Sequence, residues 1–143
     1  MKYMVLASFG VFTATLTSIF GVWSESMTTL CVFMVIDYIL GLMLSYIFKK
    51  SPKTETGGLN SRIHFKGIVK KISMVILVIV GARADMLLGT NFIQYGIVYS
   101  FILNELISIT ENIGLMGVPL PSAITKAIDL LNSNIKGGKD NEL

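Results

Sequence analysis

The residues in this sequence with types and positions suited to chemistry are ionisable side chains set inside apolar runs. Asp37 lies in "FMVIDYILGLM", Arg83 in "VIVGARADMLL" and Glu105 in "SFILNELIS". A charged group at the centre of a hydrocarbon layer costs roughly 2.5–3.5 kcal/mol on insertion scales, so each needs a counter-charge, a hydrogen bond or water. The chemistry open to them is charge pairing, proton or ion movement, or hydration of a lumen. Bond-making chemistry has no comparable support. There is no nucleophile beside a base, no metal-ligand cluster and no phosphate-cradling loop, and the lone His64 and lone Cys31 are far apart in the chain. No catalytic, cofactor-binding or metal-binding residue is expected, and the chain is not expected to be an enzyme.

Depth along the helices suggests how the charges are accommodated. Asp37 falls near the middle of its run and Arg83 about five residues from the outer end of its own, an offset of roughly 7 Å at 1.5 Å per residue. An arginine side chain spans that distance, so an Asp37–Arg83 pair is expected, with Asp85 as the alternative partner toward the outer side. Glu105 has no basic residue at its own expected depth. It is protonated, bonded to a polar neighbour such as Asn104, or hydrated.

Polar and small residues recur around these groups. Gly96, Ser100, Asn104 and Ser108 make a row at intervals of four, with Glu105, Glu111 and Asn112 on its flank. Such a stripe serves either interhelical hydrogen bonds or a water-lined lumen. Gly10, Ala14 and Ser18, and then Gly41 and Ser45 in line with Asp37, form further small rows that would let helix backbones approach closely.

These residues need a membrane to give them meaning, and composition supplies one. Of the 143 residues 52% are hydrophobic and 15% charged, against about 25% charged in a typical soluble domain; mean hydropathy is +0.69. Runs at about 4–23, 27–48, 69–88 and 92–112 each approach the roughly 20 helical residues needed to cross a bilayer. The fold class expected is therefore an all-α integral membrane protein with about four transmembrane helices. The fourth run is the most polar, and a helix lying in the interface is its alternative. The first run is too long for a signal-peptide core and lacks a clear cleavage site, so it is read as a retained helix. Cys31, inside the second run, reads as a small core residue.

Charge between the runs sets the orientation. Seven of the twelve Lys and Arg residues (Lys49, Lys50, Lys53, Arg62, Lys66, Lys70, Lys71) fall between the second and third runs, whereas "WSESM" and "LGTN" contain none. Basic loops stay in the cytoplasm, so four crossings put both termini there as well. The net charge of +3 reflects this topology and not nucleic-acid binding. Pro52, Gly57 and Gly58 mark a flexible linker within the basic loop 49–71, where His64 reads as a solvated side chain. Pro119 and Pro121 end the fourth helix. Ser122 then caps an amphipathic helix with Ile124, Ile128, Leu131 and Ile135 on its apolar face, followed by a disordered tail. Residues 1–118 thus form the membrane domain and 119–143 a cytoplasmic extension.

Three stretches carry a resemblance. "IDYILG", "NSRIHFKGIVKKI" and "NELISITENIGLMGVPLPSAITKAIDLL" are similar to the toxin-secretion and phage-lysis holin family over about Ile36 to Leu131, most specifically from Asn104 to Pro121. The resemblance implies a small protein of the bacterial cytoplasmic membrane that oligomerises with itself and opens holes. Through these a cell-wall hydrolase, or in some relatives a toxin, passes as cargo without specific binding. On the family pattern Asp37 and Gly41 match its second-helix Asp and Gly, Gly67, Lys70 and Lys71 its basic helix start, and Asn104 and Glu105 its polar pair. Some holins are made from two starts, and a start at Met4 would remove Lys2. Two other functions fit the residues: a small ion channel or transport subunit with an Asp37/Arg83/Glu105 path, and a membrane scaffold that binds a partner through the basic loop.

Overall fold

A computed structural model describes residues 1–127, 129 and 130. Its elements are α1 (Lys2–Phe20), α2 (Glu25–Met43), a π-helical turn (Leu44–Phe48) that prolongs α2, α3 (Ser61–Leu88) and α4 (Phe92–Leu115). The boundaries follow from local chemistry. Ser24 opens α2 by accepting the Met27 N–H through its hydroxyl (3.3 Å), with Glu25 in the first turn where the helix dipole favours an anion. Asn60 opens α3 by accepting from the N–H groups of Arg62 (3.1 Å) and Ile63 (3.4 Å). Gly89, at φ 65°, closes it in the left-handed conformation that glycine adopts without strain.

Contacts at the two ends fix the helix directions. At one end the Gln94 side-chain amide donates to the Phe20 carbonyl (2.8 Å) and approaches Met27, while Arg83 donates to the Ser18 carbonyl (3.2 Å). Farther along, Asp37 of α2 meets Lys71 of α3 and Asn112 of α4. Thus α1 and α3 run one way, α2 and α4 the other. α4 packs against both α2 and α3, whereas α1 touches chiefly α3. The core is small: Met27, Leu30 and Met34 from α2, Met74 and Val78 from α3, and Val98 from α4. At Gly81 α3 comes closest to α4, since a Cβ there would lie 2.7 Å from Ile97 Cδ1.

Most apolar side chains point outward. α1 buries no residue, and Val5, Leu6, Phe9 and Val11 are each at least 60% exposed. Patches of that size face lipid or other protein, not water. α1, the 25–48 segment and α4 are each long and apolar enough to cross a membrane. α3 is not among these three, because Lys70, Lys71, Arg83 and Asp85 interrupt it. Of the four crossings expected, composition therefore supports three.

Several local expectations are corrected. The basic stretch is not loop to residue 71, because the Asn60 cap starts α3 at Ser61. Nor is the 49–60 connection an open linker: the Ser51 N–H donates to the Gly57 carbonyl (2.9 Å) and Ser51 is buried. Cys31 is exposed on α2 and not a core residue, since the inward stripe of that helix is taken by Met27, Leu30 and Met34. α4 ends at Leu115, and helical backbone resumes at 122 with the Pro121 carbonyl, not the Ser122 side chain, accepting the Ile124 N–H (2.9 Å). Ile128, Leu131 and Ile135 of the expected amphipathic face, and the expected disordered tail, lie outside the described residues.

Candidate functional site

Three helices meet at one polar node. Asp37 on α2, Lys71 on α3 and Glu105 on α4 each stand about ten residues from the same end of their helical segments, and so at about the same depth. Lys71 Nζ lies 2.9 Å from Asp37 Oδ2 and 2.5 Å from Glu105 Oε2. The second Asp37 oxygen accepts a hydrogen bond from Asn112 Nδ2 of α4 (3.1 Å). The side chains are 18%, 11% and 4% exposed for Lys71, Asp37 and Glu105. One ammonium thus faces two carboxyl groups inside a bundle that is otherwise largely apolar. Charge-assisted hydrogen bonds are stronger than neutral ones, and here they tie together α2, α3 and α4.

This node replaces the expected Asp37–Arg83 pair. Between Lys71 and Arg83 α3 climbs roughly 18 Å at 1.5 Å per residue, beyond the reach of one side chain. Arg83 is exposed and donates instead to the Ser18 carbonyl, beside Met86. Arg83 therefore does not share a site with Asp37 and Glu105. Asp85 pairs with no arginine either. Its carboxylate accepts the N–H groups of Ile93 (3.2 Å) and Gln94 (2.7 Å) and the Thr90 hydroxyl (2.6 Å), capping α4 from the preceding helix. Asn91, at the N-cap position itself, makes no side-chain cap.

The polar stripe of α4 divides in two. Glu105 and Asn112 turn inward to the node, while Gly96, Ser100, Asn104 and Glu111 are exposed and Ser108 is half-buried. The Ser100 hydroxyl is satisfied by the Gly96 carbonyl (2.7 Å). Among the described residues, Asn104 and Glu111 have no side-chain partner within the chain. The small rows stay open: a Cβ at Gly10, Gly41 or Gly96 would meet nothing within 4 Å. Ala14 is exposed, Ser18 serves through its carbonyl, and Ser45 is buried with its hydroxyl on the Gly41 carbonyl (2.8 Å).

Lys71 is the residue that sequence reasoning missed, having been counted with the cytoplasmic basic stretch. The Asn60 cap held the signal, because it starts α3 early enough to carry Lys71 to the depth of Asp37. His64 also differs from expectation. It lies in the second turn of α3, half-buried, edge-on to Tyr38 at 6.5 Å between ring centroids. Its Nε2 is buried with no protein partner. With Asp37, Ser45, Lys71 and Asn112 it lines a cavity of about 60 Å³ bordered by the 51–53 turn, large enough for a few waters.

Comparisons with known proteins place the chain in a family. A probable holin of Bacillus phage phi105 is 32% identical over 101 residues, covering 70% of this chain and 69% of that protein. An uncharacterized protein of Listeria monocytogenes is 36% identical over 141 residues, 96% of this chain and 94% of its own. A 14.9 kDa protein encoded in the nagH 3' region of Clostridium perfringens is 37% identical over 119 residues, 82% and 84% of the two chains. No solved structure matches the chain. The model of the bacteriophage holin family matches residues 14–133, and with the outward apolar surfaces of its helices this makes the chain a membrane protein that belongs to that family.

Proposed function

We propose that the protein is a holin that assembles with copies of itself in the bacterial cytoplasmic membrane and opens holes at a set time, letting a cell-wall hydrolase, or in a toxin-bearing locus a toxin, cross. The observation that carries this reading is the family match over 14–133. The fold supports it physically. Alternating helix directions suit four crossings, with α3 carried across by burying Lys71 and Asp85 against α2 and α4. Lys49, Lys50 and Lys53 then lie at the cytoplasmic end with both termini.

A single copy has its Asp37, Glu105 and Asn112 occupied internally, so a hole wide enough for a folded protein needs many copies. The exposed Ser100, Asn104 and Glu111 of α4 supply the polar surface for that assembly, and the open row at Gly10 supplies close helix contacts. Expression in cells carrying a soluble fluorescent reporter tests the proposal. Release of the reporter, together with collapse of the membrane potential, is expected. Collapse with the reporter retained is the outcome of an ion channel and refutes a large hole.

A further inference from the structure

The cytoplasmic end of the bundle carries charge that nothing within the chain uses. Lys49, Lys50, Lys53, Arg62, Lys66 and Lys70 are all exposed, and among the described residues the ion pairs are those of Lys71 alone. Glu55 and Glu111 are the exposed acids nearby. The first three lysines are held in place. Lys49 adopts a left-handed conformation at φ 51° and closes the π-helical turn, and the next residues fold back through the Ser51–Gly57 hydrogen bond. Gly57, at φ 70°, lies so close that a Cβ there would be 2.1 Å from the Lys49 carbonyl oxygen. The lysines therefore form a rim on the bundle and not a free tether. Exposed aromatic rings flank the basic residues: Tyr46 is 73% exposed, Phe48 39% and Phe65 66%. Rings at the headgroup level with cations just outside match the boundary between acyl chains and phosphates.

We infer that this rim binds anionic phospholipid headgroups of the inner leaflet, enriching them around the subunit. The inference rests on the membrane orientation given under Proposed function. Each lysine near an anionic surface favours association by roughly fivefold, so three together give well over tenfold.

The test uses the full chain in vesicles of phosphatidylcholine and phosphatidylglycerol, with Phe65→Trp in a Trp23→Phe background as reporter at the rim. Brominated phosphatidylglycerol is expected to quench this tryptophan several-fold more effectively than brominated phosphatidylcholine. The preference should vanish in the triple variant Lys49→Gln, Lys50→Gln, Lys53→Gln and persist when the same lysines become arginine. Trp23 of the parent chain, at the opposite end, should show none. Equal quenching by the two lipids at residue 65 overturns the inference. Loss of the preference to inorganic phosphate but not to chloride of equal ionic strength assigns the rim to free phosphate and also overturns it. Reporter release from cells is scored separately, so a protein that opens holes without lipid preference refutes this inference alone. A residue-65 tryptophan reached by neither lipid refutes the orientation too.

Discussion

Replacing Lys71 with methionine keeps most of the side-chain volume and removes the ammonium that Asp37 and Glu105 share. All three side chains are at least four-fifths buried, so water screens the loss weakly. Breaking a buried ion pair by deleting one partner costs about 3–5 kcal/mol, because an uncompensated charge stays behind. Here two carboxyl groups are left, of which Asp37 retains Asn112 as a donor; the upper part of that range is expected. Against a typical stability of about 5–15 kcal/mol this is a large fraction. Thermal unfolding of the purified protein in nanodiscs, followed by circular dichroism, should show a midpoint lower by roughly 10 °C or more. The neutral triple variant Lys71→Met, Asp37→Asn, Glu105→Gln should recover most of the loss, since no isolated charge remains. Arg83→Met, in which an exposed side chain gives up a carbonyl contact, should cost less than about 1 kcal/mol. A Lys71→Met protein that melts within a few degrees of the parent, or an Arg83→Met protein that is the less stable of the two, refutes the assignment of Lys71 as the counter-charge.

Three further outcomes follow from the packing. Gly81→Ala forces Ile97 to move and should destabilise the α3–α4 contact by about 1–3 kcal/mol, read as a lower unfolding midpoint with the helix content of the folded state unchanged. Asp85→Ala strips the cap from α4 at about 1–2 kcal/mol; hydrogen exchange should speed up at the Ile93 and Gln94 amides before anywhere else in that helix. Gly57→Ala cannot fit beside the Lys49 carbonyl, so the 51–57 turn should open and trypsin should cut after Lys53 faster, with the unfolding midpoint nearly unchanged.

The helices themselves were readable because lipid demands long apolar runs, and four runs correspond to four helices within a few residues at their ends, except that α3 begins eight residues before its run. The need of Asp37 for a partner was equally plain, since a carboxylate amid Met34, Ile36 and Ile39 cannot stand alone. Its partner was not legible. Depth counted from the edges of apolar runs hides it, because a lysine at the edge of a run looks like a loop residue until the helix is known to begin ten positions earlier. Asp85 was misjudged for a related reason: its charge suggested an ion pair, while its place just ahead of a helix start made it a cap. The inward and outward halves of the α4 stripe were inseparable from spacing alone, because Asn104 and Glu105 are neighbours in sequence and only packing against α2 and α3 decides which one turns in.

The absence of any buried residue in α1 has a consequence for how the molecule comes apart. Its attachments are the Ser18 and Phe20 carbonyls and the Phe20 ring against the core, followed directly by Gly21 at φ 74°. Among the described residues the remaining three helices, with the turn that prolongs α2, share every buried apolar side chain and the charged node, so the first helix adds little to what keeps the others assembled. The leading segment is thus held to the bundle through its last turn and its packing on α3, and contributes little to the core that the other helices share.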